Sequence, residues 1–239
     1  MDVNLKINDF SITFATVNGS GSAAANNTIL RAIFKMGIPV SARNIFPSNI
    51  QGMPTWYSMR VSKDGYMGRV EGDDILIAMN RESIKGDMEN LNPFGLVLHN
   101  QTINPGEMDK TITAYAMPVD DLVKSCGFAA NLNVYLANMI YTGVLAYQIG
   151  IDLQQLESAL DYHFGGKRSA IDPNLCAINK AFAWAEESIT GPSNFRLEPM
   201  QENKDKIMLD GNTAAALGAH YGGLQFAAWY PITPATSLA

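Results

Sequence analysis

The N-terminal region combines a strand, a glycine-rich turn and a helix, and this combination restricts the fold more than any other feature of the chain. Residues 10–17 are rich in β-branched and aromatic residues, which predicts a strand. The turn at residues 18–22 leads into helix-forming residues over 23–36. A further strand is predicted at residues 38–41, so the chain opens as a β-α-β unit.

Short apolar runs continue this alternation. In residues 74–79 an aspartate is followed by a continuous apolar run, which is typical of a buried parallel strand. Three more strands are predicted from similar patterns, at residues 55–62, 95–99 and 111–117. Because buried strands alternate with helices, we predict an α/β fold, a three-layer sandwich with a mostly parallel central sheet.

From residue 131 the pattern becomes mainly helical. An apolar stripe predicts a helix over residues 132–149, and Asp152 is a suitable cap for the next one. Asp172 followed by Pro173 predicts the start of another helix, which runs towards Glu187, because proline is favoured at the first helical position.

The C-terminal part reads as a separate region. Residues 190–206 contain glycine, proline and several charges, which indicates a linker between a domain at 1–189 and a second one at 207–239. A helix is predicted over 213–222 and a strand over 226–230. One helix and one strand cannot bury their apolar faces alone, so we expect this part to be the incomplete start of a second α/β domain.

Composition excludes several functions. The net charge is −6 with only 17% charged residues, which does not favour nucleic-acid binding. No stretch approaches the roughly 20 apolar residues of a membrane span, and no signal peptide is visible, so we expect a cytoplasmic protein without a membrane partner. Two cysteines and three histidines without metal spacing predict no metal or iron–sulfur site in this chain. The adjacent acids Asp73 and Asp74 are interpreted as solvated charges or caps.

The turn Gly19-Ser20-Gly21-Ser22 is the first candidate site. Its backbone N–H groups and the following helix N-terminus can bind an anion such as a phosphate. The alternative is a tight turn that needs glycine only for its backbone angles. Because Ala24 stands where a third glycine of the dinucleotide pattern would be, the sequence leaves both interpretations open.

Two groups of segments resemble one protein family. The first group is ATVNGSGSAAAN at residues 15–26, RAIFKMGIPV at 31–40 and NIFPSNIQGMPTWY at 44–57. The second is LDGNTAAALGA at 209–219 with YPITPAT at 230–236. In this order they resemble the α subunit of 2-oxoacid:ferredoxin (acceptor) oxidoreductases in the form with a γ domain fused at its N-terminus.

The resemblance implies a thiamine-diphosphate enzyme that decarboxylates a 2-oxoacid. The family transfers the acyl group to coenzyme A (CoA) and passes electrons through iron–sulfur clusters to ferredoxin. It implies that thiamine diphosphate and Mg are shared with a separate β subunit and that the cluster lies in a partner subunit. Residues 1–189 would be the γ-type domain, and 207–239 the start of the α-subunit pyrimidine-binding domain. The 2-oxoacid, with 2-oxoglutarate and pyruvate among the candidates, is left open.

The resemblance also assigns residues. The γ-type domain would help to hold CoA, whose phosphates suit the turn Gly19–Ser22. The loop with Tyr230 and Pro231 would lie beside the cofactor, and Thr233 would donate a hydrogen bond to the 2-oxoacid carboxylate. We expect the 239-residue chain to be inactive alone, since the acid that activates the cofactor would follow Ala239.

A second functional hypothesis stays open from the sequence. The same fold could serve as a non-catalytic module for CoA binding or subunit assembly, because a fold does not by itself define a chemistry. Residues 214–229 are apolar with few charges, so we also expect association into an oligomer, or docking of this tail.

Overall fold

A computed structural model describes residues 5–45, 53–191, 193–231 and 235–239. The chain divides into two compact units, one up to Lys204 and the other Asp205–Ala239.

The described helices and strands are as follows. The strands are β1 (Lys6–Ile7), β2 (Asp9–Val17), β3 (Val40–Ile45), β4 (Pro54–Ser62), β5 (Asp73–Ala78), β6 (Leu91–Asn100), β7 (Thr113–Met117) and β8 (Phe195–Arg196). The helices are α1 (Ser22–Lys35), α2 (Ile84–Glu89), α3 (Val119–Ser125), α4 (Asn133–Ile149), α5 (Leu153–Phe164), α6 (Arg168–Ser188) and α7 (Gly211–Tyr221). Short 3-10 turns lie at Ala130–Leu132 and Ala235–Ser237.

The main sheet has the strand order β3-β4-β2-β5-β6-β7 in the described part of the first unit. Strands β2, β5, β6 and β7 pair in parallel, whereas β4 is antiparallel to both β2 and β3. The prediction of a mostly parallel sheet is therefore confirmed. The two strands of the predicted β-α-β unit, β2 and β3, are not adjacent in the sheet, because β4 lies between them.

Alternation along β2 explains the layers. The ring of Phe14 packs on the ring of Tyr141 in α4, with 5.7 Å between the ring centroids. The long helices therefore cover the face of the sheet to which Phe14 points. Ala15 points to the opposite face and belongs to a core cluster with Leu76 and Val97, which Ile84 of α2 covers. The six-residue α2 is thus the helix that forms the third layer over this cluster.

The segment predicted as a linker packs on the first unit over most of its length. Lys6 pairs with Phe195 in a parallel two-stranded sheet. Further along, the Leu197 amide donates to the Ile149 carbonyl at 2.7 Å, and the Met200 amide donates to the Met36 carbonyl at 2.9 Å. Backbone pairing outweighs the glycine, proline and charge signals here, and the boundary between the units follows Lys204.

Two sequence predictions about elements are wrong. Helix α6 begins at Arg168 and contains Pro173 in its second turn, rather than starting at Asp172-Pro173. The proline removes one intrahelical hydrogen bond, and it is one of the buried residues of this helix. Residues 226–230 do not form a strand, because no strand of the described second unit pairs with them and Phe226 is exposed.

No helix within the described residues is both long and apolar enough to cross a membrane.

Candidate functional site

The glycine turn connects the end of β2 to the start of α1. The Ser20 amide donates to the Val17 carbonyl at 3.1 Å and closes the turn. Gly19 and Gly21 have φ angles of 84° and 77°, in the left-handed region that favours glycine. Gly21 is the N-cap residue, and no side chain caps the helix.

This leaves the first N–H groups of α1 available to a ligand. The amides of Ser22 and Ala23 donate no hydrogen bond within the described chain, and the first turn carries no acidic residue. The Ser22 hydroxyl is held by the Thr16 hydroxyl, with 3.0 Å between the oxygens. Free N–H groups at the positive end of a helix dipole form a site for an anion.

A cavity of about 410 Å³, here called the turn cavity, opens beside this helix end. Polar side chains line much of it: Thr16, Asn18, Ser22, Asn26, Asn44 and Thr55. Asn26 is only 2% exposed, and its Oδ1 accepts a hydrogen bond from the Tyr141 hydroxyl at 2.8 Å. Its amide nitrogen has no partner in the described chain, so this donor is available to a ligand in the cavity that Asn26 lines.

Two buried tyrosines fix the orientation of the neighbouring amides. Burial raises the pKa of Tyr141 and of Tyr57 well above their usual value, although Arg31 partly opposes this at Tyr57. Both hydroxyls therefore stay protonated and act as donors to Asn26 and Asn27, respectively. Each amide then turns its oxygen to a tyrosine and its nitrogen away from it.

Helix α4 supports the turn from the other side. The Asn138 side chain donates to the Ser20 carbonyl at 2.8 Å. A Cβ atom added to Gly21 would lie 2.5 Å from the Tyr135 ring, so the ring packs directly over the glycine. The Ser20 hydroxyl is buried without a partner in the described chain.

The predicted site residues are distributed as follows. Gly19, Ser20, Gly21 and Ser22 lie together in the turn, as their sequence order requires. Tyr230 and Pro231 belong to the second unit, where Tyr230 is 75% exposed. Thr233 lies outside the described residues.

Asn26 is a site residue that the sequence analysis missed. It follows Ser22 by four positions, so both lie on one face of α1, and it comes directly after three alanines. That polar residue at the end of an alanine run was the available signal, but it could not show that a tyrosine would occupy only the oxygen of the amide.

The interpretation of Asp73 and Asp74 as solvated charges is wrong. Both are buried, where Asp73 accepts from the Thr13 hydroxyl at 2.7 Å and Asp74 accepts from the Ser11 amide at 3.0 Å. They lie in a strand rather than on a helix surface, and both side chains bond to residues of the neighbouring strand β2. Within the described ranges, no group of three or more His, Cys, Asp or Glu residues is arranged to hold a metal ion.

The fold and the turn define an α/β protein in which the connection from β2 to α1 presents unbonded backbone N–H groups at the start of the helix. Residues 11–184 match the family described as pyruvate ferredoxin/flavodoxin oxidoreductase, and the chain belongs to this family.

A curated relative and two solved structures resemble the chain. It is 21% identical to the α subunit of 2-oxoacid:ferredoxin oxidoreductase 2 from Aeropyrum pernix, over 95% of this chain and 42% of the relative. It matches 2-oxoglutarate:ferredoxin oxidoreductase from Magnetococcus marinus, solved with 2-oxoglutarate, CoA and succinyl-CoA bound. That match has a TM-score of 0.85 and 28% identity, over 97% of this chain and 40% of the other.

The second structure is the γ subunit of a keto/oxoacid ferredoxin oxidoreductase from Geobacter sulfurreducens. It is 16% identical with a TM-score of 0.61, over 75% of this chain and 99% of its own, and shares the fold alone. The chain thus spans about two fifths of the Aeropyrum and Magnetococcus proteins and nearly all of a separate γ subunit.

Proposed function

We infer that this chain supplies the γ-type domain and the beginning of the α part of a 2-oxoacid:ferredoxin oxidoreductase. In the complete assembly the reaction is oxidative decarboxylation of a 2-oxoacid to its acyl-CoA, with the electrons passed to ferredoxin. The observation that carries this proposal is the match to the Magnetococcus marinus enzyme over 97% of the chain. That enzyme also makes 2-oxoglutarate the first substrate to test.

The turn cavity is the proposed contact of this chain with CoA. CoA carries phosphate groups, and the free amides of Ser22 and Ala23 can donate to one of them at the positive end of α1. The Asn26 amide offers a further donor on the same side of the helix end. Hydrogen bonds to a charged group contribute about 1.5–3 kcal/mol each, so this set suffices for a specific phosphate contact.

Thiamine diphosphate with Mg belongs to the proposal only through a separate β subunit. The described residues of the second unit do not enclose such a group, since Tyr230 is 75% exposed and Phe226 beside the same loop is exposed as well. An iron–sulfur cluster usually needs four cysteines, whereas this chain has two, so the cluster is assigned to a partner. A cytoplasmic, oligomeric assembly completes the proposal.

The activity is tested on the assembled complex. The full-length gene product is purified with its β subunit, and reduction of a viologen dye is followed with 2-oxoglutarate and with pyruvate, with and without CoA. We expect reduction that depends on both a 2-oxoacid and CoA, and binding without turnover for the 239-residue chain alone. No dye reduction with any 2-oxoacid by a complex that contains its cofactors would refute the proposal.

The CoA contact is tested by Ala23→Asp with Ala23→Asn as the matched control. Ala23 is exposed in the first turn of α1, so a carboxylate there stabilises the helix but occupies and repels the anion site. We expect Ala23→Asp to weaken CoA binding roughly ten- to a hundredfold in calorimetric titrations, and Ala23→Asn to change it little. The unfolding midpoint of Ala23→Asp should not fall; unchanged CoA binding in this variant would contradict the assignment.

A further inference from the structure

A second cavity, here called the apolar cavity, lies against the same end of α1. Its volume is about 470 Å³, and Gly21 and Ala23 line both this cavity and the turn cavity. Most of its other walls are apolar, with Leu136 and Met139 from α4 and Phe164 from the end of α5. A ligand held by the free amides of α1 can therefore extend directly into an apolar space.

Tyr135 presents an aromatic surface in this cavity. The ring is 54% exposed although it packs over Gly21, and the missing side chain of that glycine is what lets it come so close. A large, half-exposed aromatic ring beside a phosphate-binding helix end is a platform on which a nucleobase can stack.

Two asparagines supply polar groups within the apolar walls. Asn174 is 9% exposed, and its amide nitrogen donates to the Ala170 carbonyl at 2.6 Å, which leaves its Oδ1 without a donor in the described chain. The Oδ1 of Asn27 accepts from the Tyr57 hydroxyl at 3.1 Å, which leaves its amide nitrogen without an acceptor there. The cavity therefore offers one acceptor, on a buried residue, and one donor.

We propose that the apolar cavity binds the adenine base of CoA, with Tyr135 as the stacking residue and Asn27 and Asn174 as the groups that read the base edge. This rests on the proposed function, from which the identity of CoA comes. Adenine has a flat apolar face, an exocyclic amino donor and an adjacent ring-nitrogen acceptor, which complement the Asn174 oxygen and the Asn27 amide. The phosphates then lie at the shared wall formed by Gly21 and Ala23, and the pantetheine arm extends towards the turn cavity.

The test compares ligands with and without the base. The 239-residue chain is titrated calorimetrically with CoA, with adenosine 3′,5′-bisphosphate and with 4′-phosphopantetheine. We expect Tyr135→Ala to weaken binding of the first two roughly five- to a hundredfold, and to leave 4′-phosphopantetheine within twofold of the unmodified chain. Tyr135→Phe should bind all three normally, because it keeps the ring.

The matched control is Tyr66→Ala, which removes an exposed tyrosine that does not line the apolar cavity. Equal losses for all three ligands would overturn the proposal, because Tyr135 would then only support the glycine turn. Unchanged binding of adenosine 3′,5′-bisphosphate to Tyr135→Ala would overturn it as well. In that second case, CoA binding that is still lost in Ala23→Asp would leave the proposed function standing. If the unmodified chain binds none of the ligands, the adenine site and the proposed CoA contact at the turn cavity are both refuted.

Discussion

Asp73 and Asp87 are carboxyl groups held inside the first unit by neutral donors. Asp87 accepts hydrogen bonds from the Trp56 indole and the Ser83 hydroxyl, each at 2.7 Å. Burial raises the pKa of Asp87, and it raises the pKa of Asp73 more strongly than the Thr13 hydroxyl and Arg69 lower it. Such groups destabilise the fold when ionised, since water solvates the charge better in the unfolded chain.

The sign of the pH effect follows from that shift. Between the unfolded pKa near 4 and the raised folded pKa, the folded chain binds more protons, so the contribution of Asp73 to stability falls as pH rises. We expect Asp73→Asn to have the higher free energy of unfolding at pH 8, with a difference that shrinks towards pH 4. Urea titrations at several pH values measure it.

Asp109 provides a control of opposite sign. Hydrogen bonds from the Thr111 side chain and amide lower the pKa of this exposed carboxyl. Asp109→Asn should therefore lose stability relative to the unmodified chain at pH 8 rather than gain it. If both substitutions change the free energy of unfolding at pH 8 in the same direction, the burial of Asp73 does not control its titration.

Thr233 is the residue on which the predicted oxoacid contact depends. Pro231 and Pro234 limit the freedom of the chain around it, so its hydroxyl could be ordered at small cost. Thr233→Val in the complete assembly should lower kcat/KM for the 2-oxoacid roughly ten- to a hundredfold, the equivalent of one hydrogen bond to a carboxylate. CoA dependence should stay near normal. Unchanged oxoacid kinetics would reduce Thr233 to a loop residue.

Individual residues show where sequence reasoning reaches its limit. Gly19 and Gly21 were predictable, because a left-handed turn requires glycine and strand and helix patterns flank it. Asn26 and Asp73 were not, because their roles depend on Tyr141, 115 positions away, and on Thr13, 60 positions away. Polar residues in an element have the same appearance in the sequence whether tertiary contacts bury them or leave them in water.

At the scale of elements, α4 and α6 cross in close contact at Gly143. A Cβ atom there would lie 2.2 Å from the Ile178 carbonyl oxygen and 2.8 Å from the Ala181 Cβ. We expect Gly143→Ala to lower the free energy of unfolding by about 1–3 kcal/mol, because the helices would have to separate. Urea denaturation measures this change.

Gly86 in α2 is the matched control. A Cβ atom there meets nothing within 4 Å, so Gly86→Ala should stabilise the chain by about 0.5–1 kcal/mol through helix propensity alone. Similar effects of the two substitutions would mean that the α4–α6 crossing is looser than described.

The helices and strands were more predictable from the sequence than the order in which the strands pair. The apolar runs gave β2, β5 and β6 and the helical stripes gave α4 and α5, since burial on one or both faces leaves a period in the sequence. The position of β4 between β2 and β3 has no counterpart in the sequence pattern, because the period reports which faces of a strand are buried and not which strands it pairs with. Pro173 led to a wrong prediction of the helix start, because proline is favoured at the first position of a helix but here lies in the second turn.

At the scale of the whole molecule, residues 193–204 act as part of the first unit. The Asn203 side chain donates to the carbonyls of Phe34 and Ile38, which ties this segment to the end of α1. Trypsin should cut first at Lys204 or Lys206, which are exposed, and spare Arg196, whose carbonyl accepts from the Asn8 amide. Mass spectrometry of early digests identifies the cut, and initial cleavage at Arg196 would show that the segment detaches easily.

The pairing of β1 with β8 places a strand near the start of the described first unit, about 5 Å from a strand that ends eight residues before the boundary at Lys204. A domain whose N- and C-terminal ends lie close together can be fused to another protein, or separated from it, without a change in its own backbone path. Gene fusion and fission then leave the interior of the domain unchanged. The same architecture matches the Geobacter γ subunit over 99% of its length and the longer Magnetococcus chain over 40% of its own.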